Sequence, residues 1–345
     1  MTFERSFSFT DNLLILDGLT GTGKTLFAPL LASMEGVQLP RFEYMLEYLC
    51  IAANNDSIKE DASNTLLRLL ADTKCYDGMI SREINLRPND LSGALENKVL
   101  WRYLRQLFMP DGDAVLARKQ KELPILAFVC HQLFSCRNTL FNAFGQRLNL
   151  LEMVRHPFYL VDHWLSYQGR IGKHVRDLTL CGSHKGSAYP WFAESWKDEY
   201  VNSSEYERVL LSICRLMDSI YDHIMNKTHL ERVMIIPFEF FVLEPMPFIA
   251  ELEIKFNLRT TKNTKGVLSA QRVPRKTLNA GPQKPIYLRY GVRSEDVKID
   301  DKNDYINRKQ RIEKYTTQYR TKDCVANEFL NCAKRYEEIF GLWFD

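Results

Sequence analysis

Apolar residues fall in short runs separated by stretches with helical spacing. Asn12-Leu-Leu-Ile-Leu-Asp17 is a brief apolar run followed by glycine, and from Thr25 to Met34 the apolar positions Leu26, Phe27, Leu30 and Leu31 recur near a 3.6-residue period. This reads as strand, glycine turn, helix. From Phe42 to Leu70 the spacing is again helical (Tyr44, Met45, Tyr48 and Leu49, then Leu66, Leu67, Leu69 and Leu70). The polar stretch Asn54–Asp61 breaks it, so two helices are expected. Pro124 opens a second buried strand, Ile125–Cys130, and Leu148–Val154 gives a third that stops at Arg155-His156-Pro157. Ser187–Asn226 reads as helical, with Val209, Ile213, Leu216 and Ile220 on one face. Arg232–Phe241 supplies a fourth strand, Pro247–Phe256 a helix, and Asn327–Phe340 a closing amphipathic helix. Strands that alternate with helices predict an α/β fold: a parallel sheet flanked by helices, with helical insertions near residues 40–110 and 185–230. Such sheets bind ligands beyond the carboxyl ends of their strands.

The turn after the first strand carries the clearest chemistry. Gly18-Leu-Thr-Gly-Thr-Gly-Lys-Thr25 satisfies G-x-x-x-x-G-K-[ST] between a strand and a helix, the context in which that pattern cradles phosphate. Gly18, Gly21 and Gly23 let the backbone curl so that its N–H groups, Thr22 among them, face an anion. The helix N-terminus adds its positive end, and Lys24 with Thr25 completes the set of expected phosphate ligands.

Three weaker features point toward the same sheet edge. Arg155 lies just past the third strand, where a guanidinium can fork onto phosphate oxygens, and the following helix carries His163, Trp164 and Ser166. His131 follows the second strand and can serve as a general base or as a hydrogen-bonded structural histidine; His156, His163, His174 and His184 compete for the basic role. Lys255–Tyr290 holds nine Lys or Arg and no acid. With turn residues at Gly266, Pro274, Gly281, Pro282 and Pro285, it reads as an irregular basic loop able to close on phosphates through Arg275 and Lys276.

Composition narrows the classes. The 345 residues, 45% apolar and 26% charged, suit one elaborated domain spanning 1–345. A net charge of +3 gives no bulk attraction to nucleic acid. Apolar runs such as Leu13–Leu16 and Val233–Ile236 are far below the ~20 residues of a membrane helix. No signal-peptide pattern opens the chain. Eight cysteines without a C-x-x-C pair suggest reduced thiols and no metal site, so a cytoplasmic protein is expected.

In their order these features resemble the nucleotide-dependent sulfotransferases. That family has a phosphosulfate loop after the first strand, to which Gly18–Thr25 is similar, and an R-[NH]-P element after a later strand, to which Arg155-His156-Pro157 is similar. It also has a strand running into a glutamate, as in Val233-Met-Ile-Ile-Pro-Phe-Glu239, a proline-led helix, here from Pro245, and a late R-K element, here Arg275-Lys276. The resemblance covers Leu13 to Lys276 through short motifs. It implies 3′-phosphoadenosine 5′-phosphosulfate as sulfuryl donor to a hydroxyl or amine acceptor. The loop and Lys24 would hold the phosphosulfate, Arg155 with Arg275 and Lys276 the 3′-phosphate, and His131 would be the base, with Glu239 as its alternative.

Two departures widen the choice. Gly21 stands where the family carries a basic residue and Lys24 where it carries threonine, which is closer to the ATP loop of kinases. His163 stands where a serine for the 3′-phosphate is expected, and Ser166 comes three residues later. ATP with magnesium is therefore the alternative donor, for phosphoryl transfer, and a non-catalytic nucleotide-binding protein the third reading. Against ATP, the apolar strands end at histidine or arginine, and only Val233–Phe238 meets an acid, Glu239. Trp191, Phe192, Trp196 and Tyr200 can stack on a sugar acceptor or form core; oligomeric state is open.

Overall fold

The central strands are mostly apolar because both of their faces are covered. In β1 (Asn12–Gly18) every residue after Asn12 is buried. The sheet also contains β2 (Arg41–Phe42), β3 (Ile125–Val129), β4 (Leu148–Val154) and β7 (Val233–Pro237), in the order β2-β3-β1-β4-β7, all parallel. A computed structural model describes residues 1–88, 90, 92–226, 231–282 and 299–344.

The strand order fixes where a ligand can sit. From β1 the chain moves to the β2–β3 side, then crosses to β4 and on to β7, so the connections leaving β1 and β4 run in opposite directions. A crevice opens between two such strands at their carboxyl ends. The helix α1 (Lys24–Ala32) follows the β1 turn, and α2 (Tyr44–Asn54) follows β2. One apolar cluster joins Leu14, Phe128 and Leu151 of the sheet to Phe27 of α1, Leu210 of the long helix Glu205–Asn226 and Phe329 of the last helix, Asp323–Phe340. Among the described residues no helix is long and apolar enough to cross a membrane.

The structure corrects three expectations. The fourth strand stops at Pro237, which has no N–H to extend the ladder; Phe238–Leu243 is helical with Pro237 as its cap, so Glu239 lies in a first helical turn. Ser187–Asn226 does not begin as helix: β6 (Ser187–Pro190) pairs antiparallel with β5 (Cys181–His184) around the Lys185-Gly186 turn. The basic stretch is not wholly irregular, because Thr261 caps a helix over Lys262–Ala270 through a reciprocal bond with Thr264. Its residues 283–290 lie outside the described ones. Of the four aromatic residues read as sugar-stacking or core, Trp191 and Tyr200 are buried in the core, and Phe192 and Trp196 are half-buried. The edge strand β2 and the helix Asp301–Gln318 were not foreseen.

Candidate active site

The Gly18–Thr25 loop is held tightly from three directions. A Cβ on Gly18, at φ +148°, would sit 2.5 Å from the Met153 carbonyl oxygen of β4; one on Gly23, at φ +99°, would sit 2.4 Å from the Phe238 ring. Only glycine allows both approaches. Below the loop, buried Trp164 donates from Nε1 to the Thr20 carbonyl at 2.9 Å, and the Gln132 side chain donates to the Thr20 hydroxyl at 3.0 Å. The Thr22 hydroxyl is turned inward to the Leu19 carbonyl at 2.8 Å. Lys24 is buried, and its ammonium donates to the Gly18 and Leu19 carbonyls. Thr25 is half-buried in the first turn of α1.

On the β3 side of the loop stands His131. Its backbone N–H donates to Glu47 Oε1 at 3.1 Å, and its ring Nδ1 lies 3.0 Å from the same oxygen. Glu47 comes from α2 and is buried, whereas the His131 side chain keeps 29% of its exposure. The Phe42 and Tyr44 rings stack parallel to the imidazole, with centroids at 5.3 and 6.1 Å. The ring is therefore oriented by a carboxylate and two aromatics while one edge stays open.

On the β4–β7 side lie the cations. Arg155 donates from Nη1 to the Gly21 carbonyl at 3.0 Å, and its guanidinium sits over the Phe238 ring at 4.5 Å. Arg275 sits over the same ring at 5.8 Å. Its backbone N–H donates to Val242 and its Nη1 to the Leu278 carbonyl, each within 3 Å. Arg308, from the helix Asp301–Gln318, joins them over Tyr159, whose ring also faces Arg155. Lys276 is exposed.

Glu239 anchors this side. Fully buried, it accepts from the His156 backbone N–H at 3.1 Å and from the Tyr336 hydroxyl at 2.8 Å, with Arg155 Nε at 3.8 Å. His156 is fully buried too, 3.1 Å from Glu337 through Nε2 and ringed by aromatic edges. The His163 ring packs against Gly21, at 3.3 Å from where a Cβ would stand. Burial and the neighbouring charges of Arg155 and Lys24 push its imidazole down to about 4. Ser166, one turn on, is exposed and accepts from Arg170.

Sequence reasoning missed three acids and one cation here. Asp17 and Glu152 are single acids in otherwise apolar strand runs, and Glu47 lies among the inward positions Leu46, Cys50 and Ile51 of α2; an acid inside an apolar pattern is the signal that marks each. Glu152 also revises the view that only Val233–Phe238 meets an acid, since β4, which neighbours β1, carries one. Arg308 had no such signal, because its helix is polar nearly all round.

No protein-family model matches this sequence, and no curated protein does. Solved structures with a similar course of the chain are sulfotransferase domains. That of the Synechococcus PCC 7002 olefin synthase is 10% identical, with 97% of this chain and 98% of that chain covered at a TM-score of 0.45. That of the curacin biosynthetic pathway is 12% identical, covering 82% and 87% at 0.44. The sulfotransferase STF9 from Mycobacterium avium is 14% identical, covering 85% and 79% at 0.37. What this site can do rests on its own residues.

Proposed function

We propose that the chain moves a sulfuryl group from 3′-phosphoadenosine 5′-phosphosulfate to a hydroxyl or amine acceptor. The observation that carries this reading is the division of the site: an oriented histidine on the β3 side of the loop and clustered guanidiniums on the β4–β7 side. A two-substrate transfer needs that division, with a base toward the acceptor and fixed positive charge toward the donor.

The residues fit such a donor. The loop backbone and Lys24 would take its phosphosulfate, which supplies the group transferred, and Arg155, Arg275 and Lys276 its 3′-phosphate, with His163 beside them. With Nδ1 held 3.0 Å from Glu47, which would accept its proton, Nε2 is the ring nitrogen left to act as base. That nitrogen takes the acceptor proton as the new bond forms. Glu239, with its oxygens engaged by His156 and Tyr336, acts by positioning Arg155 and does not reach a reacting atom. The acceptor class stays at a hydroxyl or amine, including a sugar hydroxyl.

A second reading, phosphoryl transfer from ATP with magnesium, is favoured by Lys24 at the kinase position of the loop. Thermal shift separates the two. Adenosine 3′,5′-bisphosphate at 100 times its Kd should add about 2.7 kcal/mol to stability. Stabilisation by ATP with magnesium, and none by the bisphosphate, would replace the first reading with the second.

A further inference from the structure

Two carboxyl groups that the transfer does not use lie at the foot of the phosphate loop. Asp17 and Glu152 are directly paired across β1 and β4, and both are fully buried. Their side chains share one face of the sheet at directly opposed positions, and none of the four carboxyl oxygens has a hydrogen-bond partner among the described residues. Among the described residues no side chain donates to either carboxyl. Ionised carboxylates only accept, so two of them opposed in a buried site with no donor repel each other unless one holds a proton.

The charged groups that face the pair come from every element around it. Lys24 approaches from α1, Glu47 from α2, Cys130 and His131 from the end of β3, and Arg137 from the helix Arg137–Phe144. Only Lys24 is a buried cation at the loop itself. One carboxylate, one carboxyl and one ammonium make a neutral set, the least costly way to bury them. Burial accordingly pushes Asp17 up to about 6 and Glu152 well above the usual carboxylate range, although Lys24 opposes both shifts.

We propose that Asp17 and Glu152 are a one-proton pair that positions Lys24, and that the pair takes up a second proton when Lys24 turns to an anion bound in the loop. The ammonium, now compensated by ligand oxygens, no longer compensates the remaining carboxylate, which is left buried and exposed to like charge from the anion. Protonation removes that charge. Binding and proton uptake are then linked, and affinity falls about tenfold per pH unit wherever one whole proton is taken up. This rests on the loop binding an anion, and sulfuryl transfer is not required.

Isothermal titration in buffers of different ionisation enthalpy measures the uptake directly, with inorganic pyrophosphate and adenosine 3′,5′-bisphosphate as separate probes. The expected result is close to one proton per ligand at pH 7, vanishing below pH 6, where the pair is already doubly protonated. Glu152→Gln and Asp17→Asn should each abolish the uptake. His163→Asn should leave it intact, because the His163 imidazole also feels Lys24 and is a competing source. No uptake in the natural protein, or uptake lost only in His163→Asn, overturns the proposal. Should a variant fail to fold, carboxyl carbon NMR of the ligand-free protein decides: a carboxyl titrating near pH 6 supports the pair, and none above pH 5 removes it. Uptake with pyrophosphate but no binding of the bisphosphate would keep this inference while refuting the donor; binding of neither refutes both.

Discussion

The two sides of the loop are built on opposite principles. On the β3 side the imidazole of His131 has one ionic partner, Glu47, two stacked rings and nearly a third of its surface exposed. On the β4–β7 side Glu239 and His156 have no exposure at all, and each polar atom of Glu239 is committed to another element of the fold. Tyr336 and Glu337 of the last helix reach into that network, which ties the chain end to the loop. A base must exchange protons with solvent and meet changing acceptors, so it stays open; a site for fixed phosphate charge gains from rigidity. The contrast implies that damage on the first side should appear in turnover, and damage on the second in stability and donor affinity.

Removing the base tests the open side most severely. His131→Ala should lower turnover by about 10²–10⁴-fold while calorimetry shows donor affinity unchanged. Glu47→Gln keeps the ring but weakens its orientation, so its loss in turnover should be smaller and its pH profile displaced. Turnover above about a third of the natural value in His131→Ala, far short of the loss of a base, would move the role to another group and dissolve the contrast.

The closed side is broken by Glu239→Ala. The substitution leaves the half-buried Arg155 guanidinium, the buried His156 N–H and the buried Tyr336 hydroxyl without their shared acceptor. Leaving buried donors without an acceptor costs about 1–3 kcal/mol, readable in the urea midpoint. Nucleotide affinity should fall with it, and turnover at saturating donor should fall much less. A stable Glu239→Ala protein with low turnover would instead give Glu239 a direct part in the chemistry.

How far this could be read beforehand differs between the same two sides. The sheet was legible because β1, β3 and β4 are apolar runs of the expected length and β1 opens onto glycines that nothing else in the chain imitates. Arg155 was legible because it directly follows such a run. The orientation of His131 was not, since Glu47 lies 84 positions away on a helix whose inward face is otherwise apolar. The tertiary partners of Glu239, on the last helix and after β4, were likewise invisible to local pattern. Helix Phe238–Leu243 was misread as strand because Phe238, Phe240 and Phe241 favour strands intrinsically, while Pro237 ended the ladder.

Stability against pH sharpens the picture at the loop between the two sides. The Asp17 carboxyl is raised by burial from an ordinary 3.8 to about 6, so the folded state holds that proton more tightly than the unfolded chain does. Its support for the fold is complete below pH 3.8 and is lost as pH rises through about 6. Asp17→Asn removes the ionisation, and the variant should gain on the natural protein above pH 6 by at most about 3 kcal/mol. Melting curves from pH 4 to 8 test this. A difference that does not grow between pH 4 and 7 would mean that Asp17 ionises normally.

The mildest probe of the closed side is Gly281→Ala. Gly281 packs against Arg275, and a Cβ there would lie 2.7 Å from Nη2 and 2.8 Å from Cζ of the guanidinium. No atom tolerates that distance, so the side chain of Arg275 must shift. Its Nη1 bond to Leu278 and its place over Phe238 are the contacts at stake. The backbone of Arg275 is held independently through Val242, so the fold should survive with little change in melting temperature. A cation–π contact is worth roughly 0.5–1 kcal/mol at a partly exposed site, so nucleotide affinity should drop by about two- to fivefold. Turnover at saturating donor should not change, because the shifted group faces the donor and not His131. Unchanged affinity for adenosine 3′,5′-bisphosphate in both Gly281→Ala and Arg275→Ala would take Arg275 out of the nucleotide site and leave Arg155, with Arg308 behind it, as the cations of that side.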